Sequence, residues 1–204
     1  MYIVAMPRAA LSDEAIADFR ARLTAVATRL FAEHGFEGVT LRAVASDLGV
    51  SPMTPYRYVA GKDELFVLVR TEAFRRFADH QERAARARGG AIPRLRALGK
   101  AYVRFALAEP DAYRIMFALA QPDDGPAELR AEEARSFAPL HEAVAAAVSE
   151  GALRGDPLTL AHLFWATTHG LVTLHLAGKL GMGLGLADLT KSVLDSIAPD
   201  RRSP

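Results

Sequence analysis

The sequence predicts an all-α protein in two parts, and three observations carry that reading. Apolar residues recur at three- and four-residue intervals along most of the 204 residues. No stretch alternates apolar and polar residues with the period of a strand, and the periodic runs begin after capping residues and end at glycine or proline. Half of the residues are hydrophobic, enough to bury a substantial core at this length.

The first helix is predicted from Ser12 to His34. Ile16, Phe19, Leu23, Val26, Leu30 and Phe31 form one face, Ser12 is the cap, Asp13 and Glu14 favour the helix dipole, and Gly35 is the stop. Thr40 caps a short helix whose Leu41, Val44, Ala45 and Leu48 share a buried face and which ends at Gly49, where a left-handed backbone closes it. Val50 then turns inward, and Ser51-Pro52 restarts a second short helix reaching about Tyr58.

Lys62 to about Arg88 reads as one long helix with Leu65, Phe66, Val69, Ala73 and Phe77 inward. Its later arginines, Arg75, Arg76, Arg83, Arg86 and Arg88, are most simply a solvated face at a helix C-terminus. Beyond Gly89-Gly90, a helix with Ile92, Leu95, Leu98, Tyr102 and Phe105 is predicted to stop before Glu109-Pro110, followed by a short helix over 111–119, a loop over 122–126, and a helix over 127–150 kinked at Pro139. A turn at 151–157 leads to the most apolar helix, 158–178, and a last helix spans 186–197 before a polar tail from Pro199. The expected domains are 12–70 and 71–204.

Composition narrows the function classes. Net charge is +1, so any phosphate-facing surface has to be local, as where Arg42, Arg57 and Lys62 cluster. The absence of cysteine removes disulfides, thiolate metal sites and a cysteine nucleophile, and fits a cytoplasmic setting. MYIVAMPRAA lacks the basic start and apolar run of a signal peptide, and Met6 is an alternative start. Residues 157–178 hold no Asp, Glu, Lys or Arg, but His162, His169, His175 and several threonines would be costly in lipid, so a buried helix is expected. The glycine run GMGLGL at 181–186 fails as a nucleotide loop, because its sixth position is Leu186 and it follows a helix; no cofactor is implied.

Residues 40–65, TLRAVASDLGVSPMTPYRYVAGKDEL, combine cap, tight turn and cap at helix-turn-helix spacing. The second short helix has almost no apolar stripe of its own, which leaves its outer face for a partner. Thr54, Tyr56, Arg57 and Tyr58 offer hydrogen-bond donors there, and Lys62 follows at a helix N-terminus, where side-chain charge and backbone N–H groups can meet one phosphate. Such a unit docks with its second helix in the major groove of DNA. Singly, Tyr56 and Tyr58 also read as half-buried packing residues and Ser51-Pro52 as a plain helix start.

The same run resembles the DNA-binding region of the TetR family of bacterial transcriptional regulators. The matching positions are Thr40 to Arg42, Leu48-Gly49-Val50-Ser51, Thr54, Tyr56, Tyr58, Lys62 and Leu65. The resemblance implies phosphate contacts from Thr40, Tyr56 and Lys62, and base-edge or backbone contacts from Arg42, Met53, Thr54 and Arg57, with Ser51, Pro52 and Tyr58 in the same surface. Two departures bear on operator sequence: Met53 stands where the family often has a small residue, and Pro55 where it often has Leu.

In the C-terminal part, His162, Trp165 and His169 lie at i, i+3 and i+7 of one helix face, a pattern suited to an apolar ligand carrying a few polar atoms. Tyr102, Phe105, Tyr113, Met116 and Phe117 could supply opposing walls. Core aromatics with hydrogen-bonded histidines is the competing reading. A zinc site at His162 and His169 is weaker, since the two stand about 10 Å apart along the axis with no carboxylate to complete the set. FWATTHGLVTL at 164–174 resembles a TetR subfamily marked by a Trp and a following His-Gly pair, here Trp165, His169 and Gly170, and EPDAYRIMF at 109–117 resembles the same class. That resemblance implies a homodimer through the last two long helices and an effector pocket in each subunit.

A dimer also follows from reading length, since one short helix reads few base pairs while a two-fold pair reads a palindrome. Leu160, Leu163, Leu171 and Leu174 are the candidate dimer face, with the monomer core as the other use for them. The expected function is therefore a repressor released from its operator by a small molecule. An effector-independent DNA-binding dimer is the alternative, and a helical enzyme with His162 or His169 as general base is the weakest, because no Ser, Asp or Glu stands at fixed spacing with either.

Overall fold

The computed structural model describes residues 12–117, 125–181 and 183–197. Among these there are α-helices and one short 3₁₀ turn and no strand, and the backbone divides into two compact units between Val69 and Arg70. The alternative start at Met6, residues 118–124, which hold most of the expected 122–126 loop, and the tail from Pro199 lie outside the described residues.

In the first unit, α1 (Asp13–His34) is capped by Ser12, whose side chain accepts from Ala15 N–H at 3.2 Å. It ends at Gly35 with φ +70°, the left-handed region expected of a stop glycine. Helix α2 (Leu41–Asp47) is capped by Thr40, which accepts from Ala43 N–H at 3.1 Å. Gly49 has φ +68°, which lets Val50 N–H reach back to Ala45 O at 3.0 Å and close the helix.

The second short helix differs from expectation. Instead of a helix from Pro52, residues 51–54 form a turn closed by Thr54 N–H to Ser51 O at 2.8 Å, and only Pro55–Arg57 is helical, as a 3₁₀ turn. Pro55 has no N–H to offer Ser51, so the carbonyl that a regular helix would bond from position 55 is taken from position 54, and the coil tightens. Ser51 is consequently no helix cap: its Oγ accepts from Met53 N–H at 3.4 Å within the turn.

Helix α3 (Lys62–Ala85) begins in the first unit and continues into the second. Leu65, Phe66 and Val69 are buried with Leu23, Ala27, Phe31, Val39, Val44 and Val59 in the first unit's core. After Ala85 the chain makes two i→i+3 bonds, Arg86 N–H to Arg83 O and Ala87 N–H to Ala84 O, so the α-helix expected to reach Arg88 ends early in a tightened turn.

The second unit holds the rest of α3 with α4 (Ala91–Ala108), α5 (Pro110–Phe117), α6 (Ala127–Ser149), α7 (Pro157–Leu176) and α8 (Leu186–Ile197). Helix α4 packs on α6, α6 on α7 and α7 on α8. Helix α6 runs on through buried Pro139, and α7 starts at Pro157 behind Asp156, whose carboxylate accepts from Thr159 N–H at 2.8 Å.

Two apolar clusters fill the unit. One gathers Phe74, Phe77, Tyr102, Phe105, Tyr113, Met116 and Val172, the other Leu95, Leu98, Val144, Ala147, Ala161 and Phe164. The arginines of α3 are tied more than expected: Arg76 bonds Glu72 and Glu109, and Arg75 bonds Glu72. Arg135 of α6 bridges Asp79 and Glu82 of α3 together with Glu132, holding the two acids on α3 below the usual carboxylate range.

Candidate functional site

Around the α2 to 3₁₀ turn, the residue types that contact nucleic acid are largely on the outside. Thr40, Arg42, Ser51, Pro52 and Arg57 are exposed, Met53 is 67% exposed and Tyr56 51%. Thr54 is half-buried. Tyr58, expected among the outward donors, is instead half-buried with its ring stacked on Phe19, centroids 4.4 Å apart. Lys62 stands at the first position of α3, its Nζ 3.2 Å from Glu37 Oε2 and 4.2 Å above the Phe36 ring.

The second unit forms a partly open cavity of about 340 Å³. Helix α3 supplies Phe74, Phe77 and Gln81, α4 supplies Leu95, Leu98 and Tyr102, α5 supplies Met116 and Phe117, α6 supplies Glu133, Ser136, Phe137 and Leu140, and α7 supplies His162, Phe164, Trp165 and Thr168. Trp165 is centred 6.2 Å from each of the Phe117, Phe137, His162 and His169 rings, close enough for aromatic packing. Glu133 is paired with the buried Arg70 at 3.0 Å, and Ser136 Oγ donates to Glu133 O at 2.7 Å.

Behind this wall, His169 Nδ1 lies 2.7 Å from Tyr113 Oη and 2.9 Å from Tyr102 Oη, and the two hydroxyls are 3.3 Å apart. Burial raises both phenols and pushes the imidazole down, so the cluster sits neutral. A separate, more open groove has a basic rim of Arg96, Lys100, Arg104 and Lys191.

Two family models match the chain. Residues 23–69 match "Bacterial regulatory proteins, tetR family" and residues 95–197 match "Tetracyclin repressor-like, C-terminal domain". The chain belongs to the TetR family.

Among curated relatives, the HTH-type transcriptional regulator Rv1816 of Mycobacterium tuberculosis is 38% identical over 64 residues, 31% of this chain and 27% of that protein. The match therefore spans about a quarter of the relative's length. A protein of unknown function from Rhodococcus sp. RHA1 superposes with TM-score 0.77 at 26% identity, covering 95% of this chain and 97% of that one. FadR from Bacillus subtilis, solved in complex with stearoyl-CoA, shares the fold with TM-score 0.73 at 16% identity over 88% of this chain and 97% of that one.

Within this TetR-family fold, the expected ligand residues divide. Tyr102, Met116, Phe117, His162 and Trp165 line the cavity, whereas Phe105 is wholly buried and Tyr113 and His169 stand behind Tyr102 as its hydrogen-bonding support. His162 is exposed, its Nδ1 held by Leu158 O at 2.9 Å. Sequence spacing missed Gln81, Glu133 and Ser136: each is polar within a helix otherwise read for its apolar stripe, and no local pattern marks a polar residue as inward. The expected dimer leucines divide too, Leu163 and Leu174 being 56% and 47% exposed, while Leu160 and Leu171 pack against the two clusters. Among the described residues no helix is long and apolar enough to cross a membrane.

The tyrosine–histidine cluster has a pH signature. Because burial lowers His169, the unfolded chain takes up its proton first as pH falls below about 6.5, the ordinary histidine value. Stability from this group is thus complete above that pH and declines as pH drops toward the folded-state value. His169→Gln should melt below the parent at pH 8, and the gap between their melting temperatures should narrow by pH 5.5; a constant gap would show that His169 carries no such linkage.

Proposed function

We propose that the chain is a DNA-binding transcriptional regulator of the cytoplasm, working as a homodimer on a palindromic operator and released from it when a small, mainly apolar molecule fills the cavity. The observation that carries this is α3. One continuous helix presents Lys62 at its first position and lines the cavity with Phe74, Phe77 and Gln81. Exposed Thr40, Arg42, Met53, Tyr56 and Arg57, with Ser51, Pro52 and Thr54 between, supply the DNA-facing surface, while Lys62 contributes once it leaves Glu37. Tyr58 acts from behind, as the ring that anchors the turn to Phe19.

For release to work, the effector has to prefer the DNA-incompetent state. A coupling of about 1 to 3 kcal/mol, or about 5- to 150-fold in operator affinity, is typical. The Arg70–Glu133 pair is a physical route, since Glu133 lines the cavity and grips α3 at Arg70, the first residue of the second unit. The dimer would use exposed Leu158, Leu163 and Leu174 of α7 with α8, which leaves these apolar side chains covered in the assembly. A largely apolar cavity of this size favours an effector-responsive regulator over an effector-independent one.

The experiment is a mobility-shift titration on DNA flanking the chain's own gene, followed by footprinting and repetition with compounds that quench Trp165 fluorescence. Two protected half-sites one helical turn apart, and weaker DNA binding with any quenching compound, are expected. Equal operator affinity with the cavity filled and empty would sink the release mechanism.

A further inference from the structure

Several of the cavity's polar groups are already committed. Glu133 is held by Arg70, Ser136 donates to Glu133 O, and Tyr102 belongs to the cluster with Tyr113 and His169. Gln81 is different: it is 4% exposed, lines the cavity, and its buried side-chain Nε2 has no hydrogen-bond partner among the described residues. A buried amide left unsatisfied costs about 1 to 3 kcal/mol, so it stands out in a wall otherwise built of Phe74, Phe77, Leu95, Leu98, Phe117 and Trp165.

Charge points the same way. Among the described residues lining the cavity, none is Lys or Arg, and the carboxylate there is Glu133. An anion entering would leave water for apolar walls with no Lys or Arg of the lining to receive it, and the buried Arg70 next to Glu133 is already paired with that carboxylate. The basic residues gather elsewhere, on the rim of the open groove at Arg96, Lys100, Arg104 and Lys191.

We propose that the ligand of this cavity is an uncharged, mainly apolar molecule carrying a hydrogen-bond acceptor, such as an ester or ketone oxygen, that takes its hydrogen bond from the Gln81 side-chain amide. This rests on reading the cavity as the effector site and names what that site selects. Anionic ligands, free fatty acids and coenzyme A thioesters included, are excluded from it. Turning the amide over by a half rotation places either its nitrogen or its oxygen inward, but a molecule that offers only an acceptor holds it with nitrogen inward.

The test uses the chain's single tryptophan, Trp165, which lines this cavity and not the basic groove. The full-length protein is titrated with methyl octanoate, octanoate and octanoyl-coenzyme A, which share one acyl chain and differ in charge. Methyl octanoate should quench Trp165 saturably and at least tenfold more tightly than either anion. Gln81→Leu should weaken the ester about tenfold while melting no lower than the parent, because it removes an unpaired buried amide; Gln81→Met serves the same purpose if the leucine variant does not fold.

Octanoate or octanoyl-coenzyme A quenching as tightly as the ester, or an ester affinity unchanged in the Gln81 variants, would overturn the ligand class and leave the effector cavity standing. Quenching by none of the three would overturn the class and the cavity reading together.

Discussion

Phe31→Ala is expected to cost about 3 to 5 kcal/mol and to abolish DNA binding with it, although Phe31 touches no DNA. Phe31 is 0% exposed, 5.0 Å from the Phe66 ring and 6.1 Å from Phe36, while Phe36 and Phe66 are 5.1 Å apart. These three rings join α1, the loop after it and α3, and Lys62 rests on the outer face of Phe36. Truncation to Ala leaves a void that the two remaining edge-on rings cannot close without shifting their helices, so both the transfer and the cavity penalties apply.

A loss of that size is comparable to the whole stability of a small helical unit. Urea unfolding followed by circular dichroism measures it. A decrease below about 1 kcal/mol would mean that the ring cluster is not the centre of the reading unit's core.

The parts of the fold that sequence shows well are those where one residue answers one local demand. Ser12 and Thr40 each cap the helix that follows, Gly35 and Gly49 each take the positive φ that ends a helix, and the last helix runs from Leu186 to Ile197 as expected. The second short helix starts later than expected, because Ser51-Pro52 and Thr54-Pro55 carry the same start signal three residues apart. Pro55 lacks the N–H that would reach Ser51 O in a regular helix, so Thr54 N–H takes that carbonyl and the helical turn starts at Pro55.

The cavity was legible on one side only. Trp165 and His162 follow from one helix's periodicity, and Tyr102, Met116 and Phe117 from the large apolar and aromatic residues of the preceding helices, but Gln81 and Glu133 come from α3 and α6 and meet the others only through packing over long sequence separations. A helical wheel tells which residues share a face and not which face a neighbour covers. His169 shows the same limit from the other direction: its spacing marks it as a ligand residue, and the two tyrosine hydroxyls that occupy it are visible only in three dimensions.

The second large effect is expected at the DNA-facing surface, where variants of opposite sign separate contact from competition. Arg42 lies exposed in the first turn of α2, so Arg42→Ala removes a guanidinium without opening the core. If each subunit of a dimer loses one base-edge contact, operator affinity falls about tenfold to a hundredfold per half-site, and the two losses multiply. Glu37→Gln should act in reverse, because Glu37 holds Lys62 at 3.2 Å while itself 92% exposed, and a phosphate has to displace it. Freed of that carboxylate, Lys62 should raise DNA affinity a few-fold, most visibly at low salt, where a single phosphate contact weighs most. Binding isotherms on one operator fragment across a salt series measure both. A weakened Arg42→Ala with an unchanged salt slope places the guanidinium on a base edge, whereas a slope reduced by about one per lost contact places it on the backbone. If Arg42→Ala binds like the parent, DNA does not approach this turn through the first residues of α2.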